Sequence, residues 1–167
     1  MKFVDCSYVS EDGGIVVMVS GKCLREIHLL ALRAGGQETG SVLMGRSSVD
    51  GMRAFVERGG PIPDGSKGYP RSYMRASKGL ESYYEKVFRS TKGKVHYIGE
   101  WHSHPNSDVE PSGVDERTMS DISMDMDGVG VVSIIIGGDF VKTFEVGLNV
   151  YLGRRRVRMR PCCGTNQ

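Results

Sequence analysis

Between Gly14 and Ala34 the hydrophobic period of the chain changes, and that change constrains the fold more than any other feature. Gly14 to Ser20 (GIVVMVS) is a largely apolar run of strand length, whereas Leu24, Ile27, Ala31 and Ala34 recur at three- and four-residue spacing. Side chains at that spacing share one helix face. A buried strand leading directly into an amphipathic helix that ends near Gly35-Gly36 is therefore expected. The alternation continues along the chain. Thr39 to Arg46 and Met52 to Arg58 read as two strands around Asp50-Gly51, a dipeptide that predicts an antiparallel hairpin. Gly59 to Tyr69, with Pro61, Pro63 and four glycines, reads as a loop facing a substrate. A helix over Arg75 to Phe88, a strand over Lys94 to His104 and a helix over Gly113 to Met126 follow. Strands over Val129 to Ile136, Phe140 to Val146, and Leu148 onwards complete the pattern. Elements interleaved in this order predict a single mixed α/β domain, a mostly antiparallel sheet flanked by helices.

Composition narrows the function classes. With 167 residues, 39% of them apolar and 25% charged, the chain has enough apolar mass for one core and lies outside the disordered regime. No apolar run approaches the ~20 residues of a membrane-spanning helix, so no integral membrane protein is expected. The first ten residues include Asp5 and lack a basic start followed by an apolar run, so a cytoplasmic location is expected. Cys6, Cys23, Cys162 and Cys163 show no CxxC spacing and are expected to be free thiols, Cys23 as a small core residue. Arg154, Arg155, Arg156, Arg158 and Arg160 crowd one segment, so the rest of the chain is net acidic although the total is +2. Arg156 to Arg160 alternates polar and apolar as an edge strand does, while a basic run of this kind can also meet phosphates or an acidic protein. The strand reading is preferred, and nucleic acid is not an expected partner.

The chemistry concentrates in Gly99-Glu100-Trp101-His102-Ser103-His104-Pro105 and in Ser112 and Asp115. Residues two apart on a strand point to the same side, so His102 and His104 present two imidazoles side by side, with Trp101 turned towards the core. Asp115, eleven residues beyond His104, can return over a short loop as a third ligand. Two imidazoles and a carboxylate leave one position open, the arrangement of catalytic rather than structural zinc. Ser112 and Asp115 also match a helix-capping box. Glu100 shares the face of the two histidines and competes for a proton-carrying role. His28 and His96 lack ligand spacing and read as structural, and Asp121, Asp125 and Asp127 read as solvated helix positions.

His102-Ser103-His104-Pro105, six intervening residues, Ser112, two residues and Asp115 resembles the signature of the JAMM metalloproteases, also called the MPN+ or JAB domain. That motif also expects an upstream glutamate, and Glu38 stands in Gln37-Glu38-Thr39-Gly40. The resemblance covers roughly residues 10 to 150 and implies a JAB/MPN domain over 1–153, with a cytidine deaminase-like layout and a basic C-terminal strand or tail over 154–167. It implies one zinc ion per chain held by His102, His104 and Asp115, with Glu38 as general acid/base and Ser112 as oxyanion donor. It further implies a zinc-dependent (iso)peptidase acting on the amide bond after the extended C-terminal tail of a conjugated protein. With only about a dozen residues between Asp115 and Val129, the chain lacks the long insertions of eukaryotic relatives. It is more similar to the small bacterial JAB proteins of operons that also encode E1- and E2-like enzymes. Among these are the deconjugating proteases of CBASS antiphage systems, whose target is a cGAS-like nucleotidyltransferase. Peptidases of ubiquitin-like or sulfur-carrier proteins, and a non-catalytic MPN scaffold, remain as alternatives.

Overall fold

The computed structural model describes residues 1–127 and 129–162. In chain order its elements are β1 (Cys6–Ser10), β2 (Val16–Val19), α1 (Gly21–Arg33), β3 (Gly40–Ser47), β4 (Arg53–Gly59), β5 (Lys67–Tyr69) and β6 (Ser72–Met74). There follow α2 (Leu80–Thr91), β7 (His96–Pro105), α3 (Gly113–Asp125), β8 (Val131–Gly138), β9 (Glu145–Leu152) and β10 (Arg155–Pro161). This is the expected mixed domain, with one addition. Eight strands close into a barrel in the order β1-β10-β9-β8-β7-β3-β4-β2, and β1 pairs β2 to complete the ring. Among the described residues only β2–β4 and β7–β8 run parallel.

Alternation along each strand sorts side chains between the barrel interior and its outside. Val17, Val19, Leu43, Val56, Trp101, Ile134, Ile136 and Leu148 face inward and meet Cys23, Leu24, Ile27 and Ala31 of α1. Burying one such aliphatic side chain contributes about 1.5–3 kcal/mol. The Ser20 hydroxyl caps α1 by accepting from the Cys23 N–H at 3.0 Å. Outside the barrel, α2 covers Val42 and Met44 of β3 with Leu80 and Val87. On the neighbouring outer face α3 covers Val131 and Tyr151 with Met119, Ile122 and Met126. The outward face of β7 lies between these two covers, and it carries the histidines.

Several expectations need correction. The arginine strand β10 is no edge: it pairs β9 on one side and β1 on the other, because closure leaves the barrel without edges. The strand expected over Phe140 to Val146 starts late: the Asp139 carboxylate accepts from the N–H groups of Val141, Lys142 and Thr143 at 3.0, 2.7 and 2.9 Å, folding a turn, and only Glu145 and Val146 are extended, as the start of β9. The loop expected over Gly59 to Tyr69 ends in the β5–β6 hairpin. Helix α2 starts at Leu80 rather than Arg75, after Gly79 in the left-handed region at φ 89°. Strand β1 is an element the periodicity did not signal. Cys23 is buried in the core, Cys162 is a free thiol at the surface, and Cys163 lies outside the described residues.

Candidate metal centre

A parallel strand pair requires a crossover, and α3 is the crossover between β7 and β8. The C-terminal end of β7 and the N-terminus of α3 are thereby held against each other, which is where sheets of this kind build sites. Trp101 and Ser103 are 1% and 0% exposed and point into the barrel, so Glu100, His102 and His104 point out of it. Asp115 arrives from the first turn of α3. That turn is set by a complete capping box: the Ser112 hydroxyl accepts from the Asp115 N–H at 3.3 Å, and the Asp115 carboxylate accepts from the Ser112 N–H at 2.7 Å.

The three side chains converge. His102 Nε2 and His104 Nε2 are 3.1 Å apart, and Asp115 oxygens lie 3.4 Å from the first and 3.8 Å from the second. Among the described residues these three form a group whose ligand atoms all lie within 4.8 Å of one another. Ligands bound at ~2.0–2.1 Å to a tetrahedral zinc stand roughly 3.3 Å apart, so the donor set and its spacing fit such an ion. Ring protonation agrees. His104 Nδ1 lies 3.1 Å from the carbonyl oxygen of Asp108, which can only accept, so Nδ1 carries the proton and Nε2 keeps its lone pair. Burial first, then the neighbouring His102, lowers the His104 pKa and favours this neutral ring. Burial would raise the Asp115 pKa, but the hydrogen bond and charge of His102, with the bonds to Ser112, hold it well below the usual carboxylate range.

Glu38 enters from the other side. Thr39 and Ser103 are bonded through Ser103 N–H to Thr39 O at 2.8 Å and Thr39 N–H to the Ser103 hydroxyl at 3.0 Å, and Gly40 stands opposite His102. By alternation Glu38 then lies on the outer face with the histidines. A Cβ at Gly40 would strike the Trp101 carbonyl and come within 2.8 Å of His102 Cβ, so glycine is what allows the two strands to close here. Burial raises the Glu38 pKa, with Asp115 adding to it and His102 and Arg71 opposing. Its carboxylate makes no hydrogen bond or ion pair among the described residues. Glu100 differs: its Oε1 accepts from Arg75 at 3.1 Å and from the Tyr97 hydroxyl at 3.0 Å, and it is committed to that pair.

Glu38, Glu100, His102, His104, Ser112 and Asp115 line one groove of about 1010 Å³, walled by the β5–β6 hairpin on one side and by α3 on the other. The hairpin is tied to the Glu38 segment, since the Tyr69 carbonyl accepts the Glu38 N–H at 2.9 Å and the Tyr73 hydroxyl donates to the Gly40 carbonyl at 2.6 Å. Asp108, Tyr69 and Tyr73 were not singled out from the sequence. Two of them act through backbone carbonyls, which any residue possesses, so no residue pattern marks them. His28 is buried with Nε2 2.7 Å from the Phe140 carbonyl, and His96 Nε2 is 3.2 Å from the Ser47 hydroxyl, both remote from the groove. Asp121, Asp125 and Asp127 are exposed.

Residues 20–150 match the family described as prokaryotic homologs of the JAB domain. The chain belongs to that family. Within it, the JAB chain is 30% identical over 152 residues to a CD-NTase/cGAS isopeptidase of Enterobacter hormaechei subsp. hoffmannii (strain UCI 50), a match spanning 90% of this chain and 83% of the relative. A second CD-NTase/cGAS isopeptidase, from Pseudomonas aeruginosa (strain BWHPSA011 / Pa011), is 28% identical over 86 residues, 52% of this chain and 53% of that relative. The solution structure of protein DSY2949 from Desulfitobacterium hafniense has the same fold, with a TM-score of 0.58 at 20% identity over 84% of this chain and 87% of that one.

Proposed function

We propose that this JAB-family protein is a zinc-dependent isopeptidase that frees the C-terminus of a cGAS-like nucleotidyltransferase from material conjugated to it, and so opposes E1/E2-type conjugation in antiphage defence. The observation that carries the reading is the convergence of His102, His104 and Asp115 in one groove with a half-buried, uncommitted Glu38. The relatives named as isopeptidases of such a nucleotidyltransferase support the substrate class. When bound to the three ligands, zinc supplies a Lewis acid and lowers the pKa of water from 15.7 to about 7. Glu38, lifted above the ordinary glutamate range by burial, takes the proton from the attacking water. The water oxygen adds to the amide carbon, the C–N bond breaks, and Glu38 returns the proton to the leaving amine. Ser112 accepts from Asp115 through its oxygen, which leaves its hydroxyl proton free to donate to the developing oxyanion.

The test joins metal content to cleavage. Zinc per chain is measured by elemental analysis for the wild type and for His102→Ala/His104→Ala, alongside cleavage of a nucleotidyltransferase bearing a C-terminal reporter. About one zinc per wild-type chain, none in the double variant, and cutting at the joint are expected. Zinc without cutting would redirect the search to ubiquitin-like conjugates. A wild type that binds no zinc would leave a protein-binding scaffold in place of the enzyme.

A further inference from the structure

The arginine run has no part in the chemistry described above, yet three of its five side chains are held in ion pairs. Arg156, Arg158 and Arg160 alternate onto the outer face of β10, and each reaches a carboxylate. Arg160 meets Glu11 at 3.0 Å, Arg158 meets Glu110 at 2.8 Å, and Arg156 meets Glu116 at 3.1 Å and Glu110 at 3.8 Å. Glu116 is the residue after Asp115 on α3, and Glu110 lies in the segment between Asp108 and Ser112. Both carboxylates therefore belong to the stretch of chain that aims the metal centre from the α3 side.

We propose that Arg156 is a positioning residue for the metal centre: by holding Glu116 and Glu110 against β10 it sets the rotation of α3 and the path of residues 106–112, and thereby aims Asp115, Ser112 and His104. The inference rests on the isopeptidase reading. Its first support is that, beyond the capping box, no buried apolar side chain anchors the start of α3. Val114 is 62% exposed, and the buried or half-buried apolar anchors of the helix begin only at Met119 and continue with Ile122 and Met126. No apolar side chain of the first turn is buried among the described residues. A second support is angular. Successive helical residues point ~100° apart, so an ion pair pulling Glu116 towards the barrel fixes where Asp115 points on the groove side.

Placement of the guanidinium gives a third support. Arg156 is paired in register with Tyr151, which is 1% exposed beneath α3 and packs against Met119. The Arg156 side chain is 32% exposed and its carboxylate partners 47%, so the pair acts by fixing geometry rather than by adding much stability. Both contacts are made by Nη1, which places the positive charge of Arg156 between the two carboxylates. Through Glu110 that charge, together with Arg158 at 2.8 Å, holds the loop whose Asp108 carbonyl orients the His104 ring. Residues bonded directly to a metal ligand are commonly worth 10- to 100-fold in metal affinity, and Arg156, one contact further out, is expected at the lower end.

The test compares Arg156→Gln, Arg156→Lys, Glu116→Gln, the double variant Arg156→Gln/Glu116→Gln, and Arg154→Gln as a charge-matched control in the β9–β10 turn. Zinc affinity is measured by chelator competition, and kcat and KM are measured separately. Arg156→Gln is expected to weaken zinc about 10-fold and to lower kcat with KM nearly unchanged, and Arg156→Lys to recover part of both. The double variant is expected to lose little more than either single one, and Arg154→Gln to match the wild type. Wild-type zinc affinity in Arg156→Gln, or losses that simply add in the double variant, would overturn the proposal. A readout without metal separates it from the function reading. In the metal-free protein the Asp115 and Glu116 amides, bonded to the Ser112 hydroxyl and carbonyl, should exchange faster in Arg156→Gln. If the wild type binds no zinc the function reading falls, and unchanged exchange of those two amides would overturn the positioning role on its own.

Discussion

Glu38 stands outside the cluster of ligand atoms, two residues before β3, the strand that reaches the histidines from the opposite side to Asp115. Removing its charge therefore removes a proton carrier and spares the ligands. Glu38→Gln is expected to lower kcat by about 10²- to 10⁴-fold with zinc stoichiometry unchanged, measured by turnover and elemental analysis on one preparation. Retained turnover, together with a collapse in Glu100→Gln, would move the base to Glu100, although Arg75 and Tyr97 already occupy that carboxylate. At this scale the histidines were the most legible part of the site, because two-residue alternation on a strand dictates that His102 and His104 share a face. Ser112 and Asp115 were legible for a related reason: a capping box is local geometry written into four consecutive residues. Glu38 was not legible in that way. Its place beside the ligands depends on Thr39 pairing Ser103 across 64 positions of chain, and only the family resemblance pointed to it.

Helix α3 separates two roles of one hydroxyl. Ser112→Ala loses both the cap and the donor, and is expected to cost about 1 kcal/mol of stability in urea unfolding. Glycine caps nearly as well as serine, so Ser112→Gly should cost only a few tenths of a kcal/mol. Both variants should nevertheless fall about 10²- to 10³-fold in kcat, and wild-type kcat in Ser112→Gly would reduce Ser112 to a cap. The turn before β9 carries a prediction of its own. Hydrogen bonds from the backbone N–H groups of Thr143, Lys142 and Val141, opposed by a small burial effect, hold the Asp139 pKa at about 2, below its ordinary 3.8. A lowered carboxyl pKa contributes stability that is complete above the ordinary value and is lost as pH falls through the folded one. The stability difference between wild type and Asp139→Asn should therefore shrink as pH falls from 3.8 to about 2, and a constant difference across that window would refute the role given to the turn. These bonds also explain why Phe140 to Phe144 is no strand. The three-residue strands β5 and β6 went unread because they are too short to display a period of two.

Metal and fold are supplied by different parts of the molecule. The interior core of Val17, Leu43, Trp101, Ile134 and α1 lies on the other side of β7 from the ligands, so the barrel closes without an ion. Chelation is expected to leave the far-ultraviolet dichroism intact and to lower the thermal midpoint only by the linkage of zinc to the native state. Cooperative unfolding on chelation would instead make the centre structural. The sequence by itself determined the order of most strands and helices, the outward face of His102 and His104, the inward face of Trp101 and the cap that presents Asp115. Each of these follows from periodicity or hydrogen bonding within a few consecutive residues. Tertiary structure alone decided that the sheet closes, that β10 is paired on both sides, that the β5–β6 hairpin walls the groove and that Arg156 reaches Glu116. Those outcomes join segments remote in the chain, where satisfying strand edges and burying a shared core select partners that no local period can name.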